Sequence, residues 1–182
     1  MKRVKGTAFV NFAKSIRANK SGVYAKYLTE EDKDILSRKI LAAVWYPYET
    51  FKRCFKAVFE VVGKNDFETA RQWGRLYGEL IMTDIYKDTF RKGDPLYHVK
   101  KIPIYILTFF DFARWEALVE KPNQVLITLP DCDPDFAALY HFFRGWFQKM
   151  AELGGGQNVR CEFVKMGWAD ESKITSYLVS WD

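Results

Sequence analysis

Apolar residues recur at three- and four-residue spacing along the first half of the chain, a pattern typical of amphipathic helices. Capping boxes and proline or glycine positions mark where such helices begin and end. The pattern predicts helices over about 6–19 and 21–28, a third opened by Thr29 and Asp32, a fourth from Pro47 to Gly63, and a long fifth after Asn65. Gly74 and Gly78 lie one turn apart on the fifth helix, which predicts a packed helix or ring close to its backbone.

The most apolar segment of the chain is 103–118. Apolar residues surround nearly its whole circumference if it is helical, as expected of a central element. They are Ile104, Ile106, Leu107, Phe109, Phe110, Phe112, Trp115 and Leu118. We therefore predict that 103–118 is the core helix.

The last third of the chain changes its periodicity. The run 124–129 predicts a short strand, 134–153 carries one helical stripe, and Gly154–Gly156 ends that helix. Beyond it, residues 159–163 alternate between apolar and charged and return through a turn into 174–181, which predicts an antiparallel hairpin. The fold class predicted is α+β: one domain over 1–182, with about seven helices and a small antiparallel C-terminal sheet, mainly helical in 1–120 and αβ in 121–182.

Charge and cysteine usage narrow the class of protein. The net charge is +5, and the basic residues are interleaved with acids, so the sequence does not favour nucleic-acid binding. Three cysteines far apart fit a reducing compartment. The first residues contain no signal-peptide core, and no apolar run approaches the roughly 20 residues of a membrane span. We expect a soluble, cytoplasmic protein.

Candidate catalytic and metal-binding groups are few. His98 and His141 are the only histidines, and Cys54 lies on an apolar stripe as an inert core thiol would. Cys132 sits between two aspartates in a segment that turn and capping chemistry explains. No closely spaced Cys and His pair indicates a zinc site. The sequence therefore predicts no metal, no cofactor and no enzymatic activity.

Five short segments resemble an uncharacterised bacterial family known chiefly from myxobacteria. They are VKGTAF (4–9), WYPYETF (45–51), WGR (73–75), NVR (158–160) and VSW (179–181). That family is distantly similar to the heme nitric-oxide-binding (H-NOX) sensor domains, to vinyl-reductase-type small-molecule-binding domains and to TRAPP trafficking subunits. The resemblance covers nearly the whole chain and implies an H-NOX/TRAPP-like fold.

The resemblance also allows heme binding to be tested residue by residue. In the heme sensors the axial histidine follows an aspartate by three residues on the helix that corresponds to 103–118. Here Asp111 matches the aspartate, and the third residue onward is Arg114. The Tyr-x-Ser-x-Arg motif that holds the heme propionates in those sensors does not occur in this sequence. We therefore predict a heme-free protein.

These observations predict a non-enzymatic regulatory or sensor-like domain that binds a small apolar ligand or a protein partner. If a ligand cavity exists, we expect ring-bearing residues to line it: Trp73, Tyr77, Phe109, Phe112 and Trp115. One alternative is a protein–protein assembly or adaptor subunit without a cavity, which could form a homodimer as TRAPP subunits do. A more distant alternative is an enzyme whose polar groups converge only in three dimensions.

Overall fold

Seven α-helices and six strands are present in the computed structural model, which describes residues 1–85, 87–89 and 91–182. The helices are α1 Gly6–Ala18, α2 Glu30–Ser37, α3 Tyr48–Val61, α4 Phe67–Leu80, α5 Pro95–Val99, α6 Ile102–Leu107 and α7 Ala137–Leu153. The strands are β1 Arg3–Lys5, β2 Trp45–Pro47, β3 Glu116–Lys121, β4 Gln124–Leu129, β5 Arg160–Lys165 and β6 Thr175–Ser180. Short 3-10 turns lie at Ala25–Tyr27 and Lys87–Thr89, and a π-helical turn lies at Ile81–Ile85. The predicted α+β class and the number of helices are confirmed.

The chain divides into two units, each with its own core. Unit 1 consists of Met1–Asp66 with Ile106–Ala113, and unit 2 of Phe67–Tyr105 with Arg114–Asp182. The prediction of one domain over 1–182 stays a prediction. In the described part of the chain, no helix has both the length and the apolar character needed to cross a bilayer.

Unit 1 is built on phenylalanine rings that α1 and α3 present to each other. Phe12 lies 4.5 Å from Phe55, and Phe9 lies 6.3 Å from Phe51, between ring centroids. Phe9, Phe51 and Phe55 are almost completely buried. Burial of each such side chain contributes about 1.5–3 kcal/mol, so the spacing that predicted these helices also supplies their packing energy.

A two-stranded sheet in unit 1 was not predicted. Strand β1 pairs antiparallel with β2, with Val4 opposite Tyr46. Pro47, predicted as the first helical residue, instead ends β2 and precedes α3. The predicted helix over 21–28 is also wrong, because only the 3-10 turn Ala25–Tyr27 forms after Gly22, whose φ is +74°.

The prediction of a core helix over 103–118 is wrong beyond residue 107. Helix α6 ends at Leu107, and the backbone of the next residues pairs with β1: the Lys5 amide donates to the Phe109 carbonyl at 2.8 Å, and Val4 bridges Phe110. Residues from Glu116 onward then form β3, in which Leu118 is 62% exposed. An apolar stretch suits a buried helix or a strand equally well by periodicity alone, and long-range backbone pairing decided between them.

Helices α4 and α7 pack closely in unit 2 through their glycines. A Cβ atom added to Gly74 would lie 1.8 Å from the Phe142 carbonyl oxygen, and one added to Gly145 would lie 1.9 Å from that of Arg71. At Gly78, the nearest atom would be Cδ1 of Trp146, at 2.6 Å. The prediction that a helix or a ring approaches Gly74 and Gly78 is confirmed.

The sheet of unit 2 is antiparallel, with the strand order β3-β4-β6-β5. Its two inner strands pair along their full length, with Ile127 opposite Tyr177, and the predicted hairpin of β5 and β6 is present. Helix α7 contacts β5 and β6. It begins at Ala137 instead of Pro134, because Asp133 forms a local turn in which its side chain accepts from the Asp135 amide.

Candidate functional site

The five residues predicted to line a ligand cavity lie in different surroundings. Phe109 is 2% exposed in unit 1, and Phe112 packs there on Tyr48 at 5.0 Å. Trp73, Tyr77 and Trp115 belong to unit 2, where Trp73 and Trp115 are half-buried. Their joint role as cavity walls stays a prediction.

Two of these rings join one aromatic cluster on α7. Tyr77 lies edge-on to Trp146 at 5.2 Å, and Trp115 lies edge-on to Phe143 at 4.8 Å. Phe143 and Trp146 are themselves 6.2 Å apart. Edge-to-face pairs of this kind stabilise a core beyond the area they bury, so Tyr77 and Trp115 have a structural role whatever they bind.

The two imidazoles occupy different settings, one fully buried and the other half-buried. His98 on α5 is fully buried, and its Nε2 lies 3.0 Å from the Arg91 amide nitrogen and 2.9 Å from the Arg91 carbonyl oxygen. His141 on α7 stacks on Phe67 at 4.3 Å and meets Phe163 edge-on at 5.0 Å. Burial lowers the pKa of both imidazoles, that of His141 to about 4. Both are therefore neutral at pH 7.

We expect His141 to make the protein less stable in mild acid. Its pKa is lower in the folded chain than its ordinary value near 6.5, so the unfolded chain binds more protons between about pH 6.5 and 4. The free energy of unfolding should then decrease as the pH falls through this window. Urea unfolding of His141→Phe, which keeps the ring packing, should show a weaker decrease than the wild-type protein. A His141 resonance that titrates above pH 6 by NMR would contradict the expectation.

All three thiols are free and buried. Burial raises the pKa of Cys54 and of Cys161 to about 12. The pKa of Cys132 is also raised, mainly by burial and further by the nearby carboxylates of Asp133 and Asp170. Since the thiolate is the nucleophile and the metal ligand, none of the three is prepared for either role at neutral pH.

The position that the resemblance assigns to an axial heme ligand does not suit iron. Asp111 is engaged by Arg3, whose backbone amide and Nε donate to its two oxygens at 2.8 and 2.7 Å. Three residues later, Arg114 is exposed in the segment before β3. A guanidinium stays protonated in proteins and offers no lone pair to a metal. The donor atoms at this position therefore do not fit the axial coordination of heme.

Among residues 1–85, 87–89 and 91–182, no group of three or more His, Cys, Asp or Glu side chains is placed to hold a metal ion.

A cavity of about 400 Å³ opens in unit 1 beside the first turn of α3, and the sequence did not reveal it. Its lining residues come from the N-terminal segment, α2, the end of β2 and α3: Met1, Lys2, Glu31, Pro47, Tyr48, Glu49, Thr50 and Arg53. Behind it, Arg53 forms a bidentate ion pair with Asp32, at 2.6 and 2.8 Å. Asp32 was predicted only as a capping residue of α2. The capping box with Thr29 is confirmed, but no local pattern indicated a partner 21 residues away.

Comparison with known proteins identifies the fold. Neither protein-family models nor curated protein sequences match this chain. Solved H-NOX structures do match it over 98% of its length. They include a T. tengcongensis H-NOX variant (TM-score 0.67, 16% identity, 97% of that chain) and a Fe(II) unliganded variant from K. algicida (0.65, 11%, 96%). An oxygen-binding H-NOX domain related to soluble guanylate cyclases also matches (0.64, 16%, 95%).

Proposed function

Because the chain has the fold of the H-NOX domains, we propose that it is a non-enzymatic regulatory domain that uses this fold without heme. The single observation that supports the heme-free role is the replacement of the axial imidazole by Arg114, an exposed guanidinium. In this proposal the domain responds to a small molecule or to a protein partner. The five predicted ring residues remain our candidates for contacts with a small apolar ligand.

The histidine and cysteine side chains support the same proposal. The Nε2 atom of His98 lies against the backbone of Arg91, and His141 lies between aromatic rings. The thiols of Cys54 and Cys161 have pKa values of about 12. A general acid–base pair or an activated nucleophile needs a group whose pKa lies near the working pH, and these values favour a binding role over an enzymatic one.

We expect the purified protein to show no stoichiometric Soret shift when titrated with hemin, because Arg114 cannot act as an axial ligand. The T. tengcongensis H-NOX domain, prepared in parallel, is the positive control for reconstitution. His98→Ala and His141→Ala variants should give the same absorption spectra as the wild-type chain. A saturable one-to-one shift that either variant abolishes would contradict the heme-free proposal.

Assembly through the sheet of unit 2 is the second candidate function. Its two edge strands and the residue after β5 expose large apolar side chains: Leu118 and Val119 at one edge, and Val164 and Met166 at the other. Exposed edges with apolar residues favour pairing with another chain. Native mass spectrometry separates the two roles. A small molecule that co-purifies with a monomer supports ligand sensing, whereas a ligand-free dimer supports assembly.

A further inference from the structure

The cavity beside α3 carries opposite charges on its walls. Lys2 and Arg53 contribute cations, and Glu31 and Glu49 contribute carboxylates. Arg53 is held in place by Asp32, which is fully buried and is itself fixed by the capping box of α2. An arginine has five N–H donors, and the bidentate pair with Asp32 uses two of them. The guanidinium is thus a rigid donor in the cavity wall.

The N-terminus of α3 adds a partial positive charge to the wall of this cavity. Pro47 precedes the helix and has no side-chain acceptor that could cap it, while the Tyr48 amide donates to the Lys2 carbonyl at 3.0 Å. The amides that follow in the first turn of a helix have no partner within the helix. The dipole of this 14-residue helix gives its start a partial positive charge, part of which the Glu49 carboxylate in the same first turn offsets. An anionic group therefore fits between the start of α3, Lys2 and Arg53.

A ligand with a single charge could pair with only one of the two kinds of charged group that line the cavity. A simple anion would also face Glu31 and Glu49, and a simple cation would face Lys2, Arg53 and the start of α3. From this juxtaposition we infer that the cavity binds a small zwitterion that carries a carboxylate and a primary ammonium group, namely a free α-amino acid. Its volume lies within the range of about 300–1,000 Å³ typical of small-molecule sites. This inference does not rest on the heme-free regulatory role.

Isothermal titration calorimetry of the full chain with each of the common amino acids tests the ligand class. At least one should bind with a Kd at or below about 1 mM. Its N-acetyl derivative, which lacks the ammonium charge, and its methyl ester, which lacks the carboxylate, should each bind at least about tenfold more weakly. Absence of saturable binding by every amino acid overturns the inference. Equal binding of either derivative overturns it too, because one charge would then suffice.

Substitutions locate the binding site. Lys2→Gln and Glu49→Gln each remove one lining charge without removing a partner of the buried Asp32, and each should weaken binding about tenfold. The matched controls are Lys14→Gln on α1 and Glu60→Gln near the end of α3, both exposed and outside the cavity. They should bind like the wild-type chain. Binding that is unchanged in Lys2→Gln and Glu49→Gln would place the amino acid elsewhere and overturn the inference.

Discussion

Replacement of Gly74 by alanine is expected to destabilise the protein by about 3 kcal/mol or more, although alanine is the better helix former. Helix propensity alone predicts a gain of about 1 kcal/mol. The new methyl group would, however, lie 1.8 Å from the carbonyl oxygen of Phe142, and backbone cannot move aside as a side chain can. Overpacking of this kind costs about 1–3 kcal/mol and occasionally more. Gly145→Ala, which meets the Arg71 carbonyl at 1.9 Å, should show a similar loss.

Urea unfolding at constant pH measures these losses. Gly78→Ala should be affected less, since its new methyl group would lie 2.6 Å from Cδ1 of Trp146, whereas those at Gly74 and Gly145 would lie 1.8 and 1.9 Å from backbone oxygens. Leu76→Ala is the control on the exposed face of α4, where Leu76 is 67% exposed, and it should change the free energy of unfolding by no more than about 0.5 kcal/mol. A Gly74→Ala protein as stable as the wild-type chain would contradict the close packing of α4 on α7.

Loss of the Arg53 guanidinium is expected to have the second large effect. Arg53→Met should destabilise the protein by about 3 kcal/mol at pH 7, because it leaves the fully buried carboxylate of Asp32 without its ion-pair partner. Arg38→Met is the matched control. Arg38, the residue after α2, pairs with Asp34 at 2.8 Å, but both side chains are exposed. Arg38→Met should lower the free energy of unfolding by less than about 1 kcal/mol.

The pH dependence distinguishes this cause from lost packing. Burial alone raises the pKa of Asp32, but the hydrogen bonds from Arg53 and Thr29 outweigh burial, so the pKa lies below its ordinary value. In the wild-type chain, the stability that Asp32 contributes is present above pH 4 or so and is lost as the pH falls through the lowered pKa. Arg53→Met removes the largest contribution that lowers this pKa, so the pKa of Asp32 should be higher in the variant than in the wild-type chain. The difference in the free energy of unfolding between the wild-type chain and Arg53→Met should therefore be greatest at neutral pH and decrease towards pH 4. A deficit that does not change with pH would contradict the ion-pair explanation.

Much of the fold was predictable because its determinants are local. The stripe Phe9, Phe12 and Ile16 lies within one helix, and the capping box of Thr29 and Asp32 spans four residues, so both can be read without knowledge of distant contacts. The alternation of Val159, Cys161 and Phe163 predicted a strand for the same reason. The structure confirms each of these elements.

The segment after α6 was predicted wrongly because its structure depends on contacts with residues that are distant in the sequence. Residues 108–118 are as apolar as a buried helix, yet Phe109 and Phe110 pair with β1, more than 100 residues earlier in the chain. Leu118 pairs with Leu126 in the sheet of unit 2. Tertiary context often overrides an apolar pattern that suits either structure.

Residue types and their local spacing are enough to predict the α+β class, most helix registers, the C-terminal hairpin and the presence of Arg114 where the resemblance expects a histidine. Each depends on residue type or on spacing within a few residues. Long-range packing, by contrast, sets where α6 ends, which helix lies against Gly74, and the pairing of Arg53 with Asp32 beside a cavity of mixed charge. The physical reason is that these contacts join residues 21 to more than 100 positions apart, and no local periodicity records such partners.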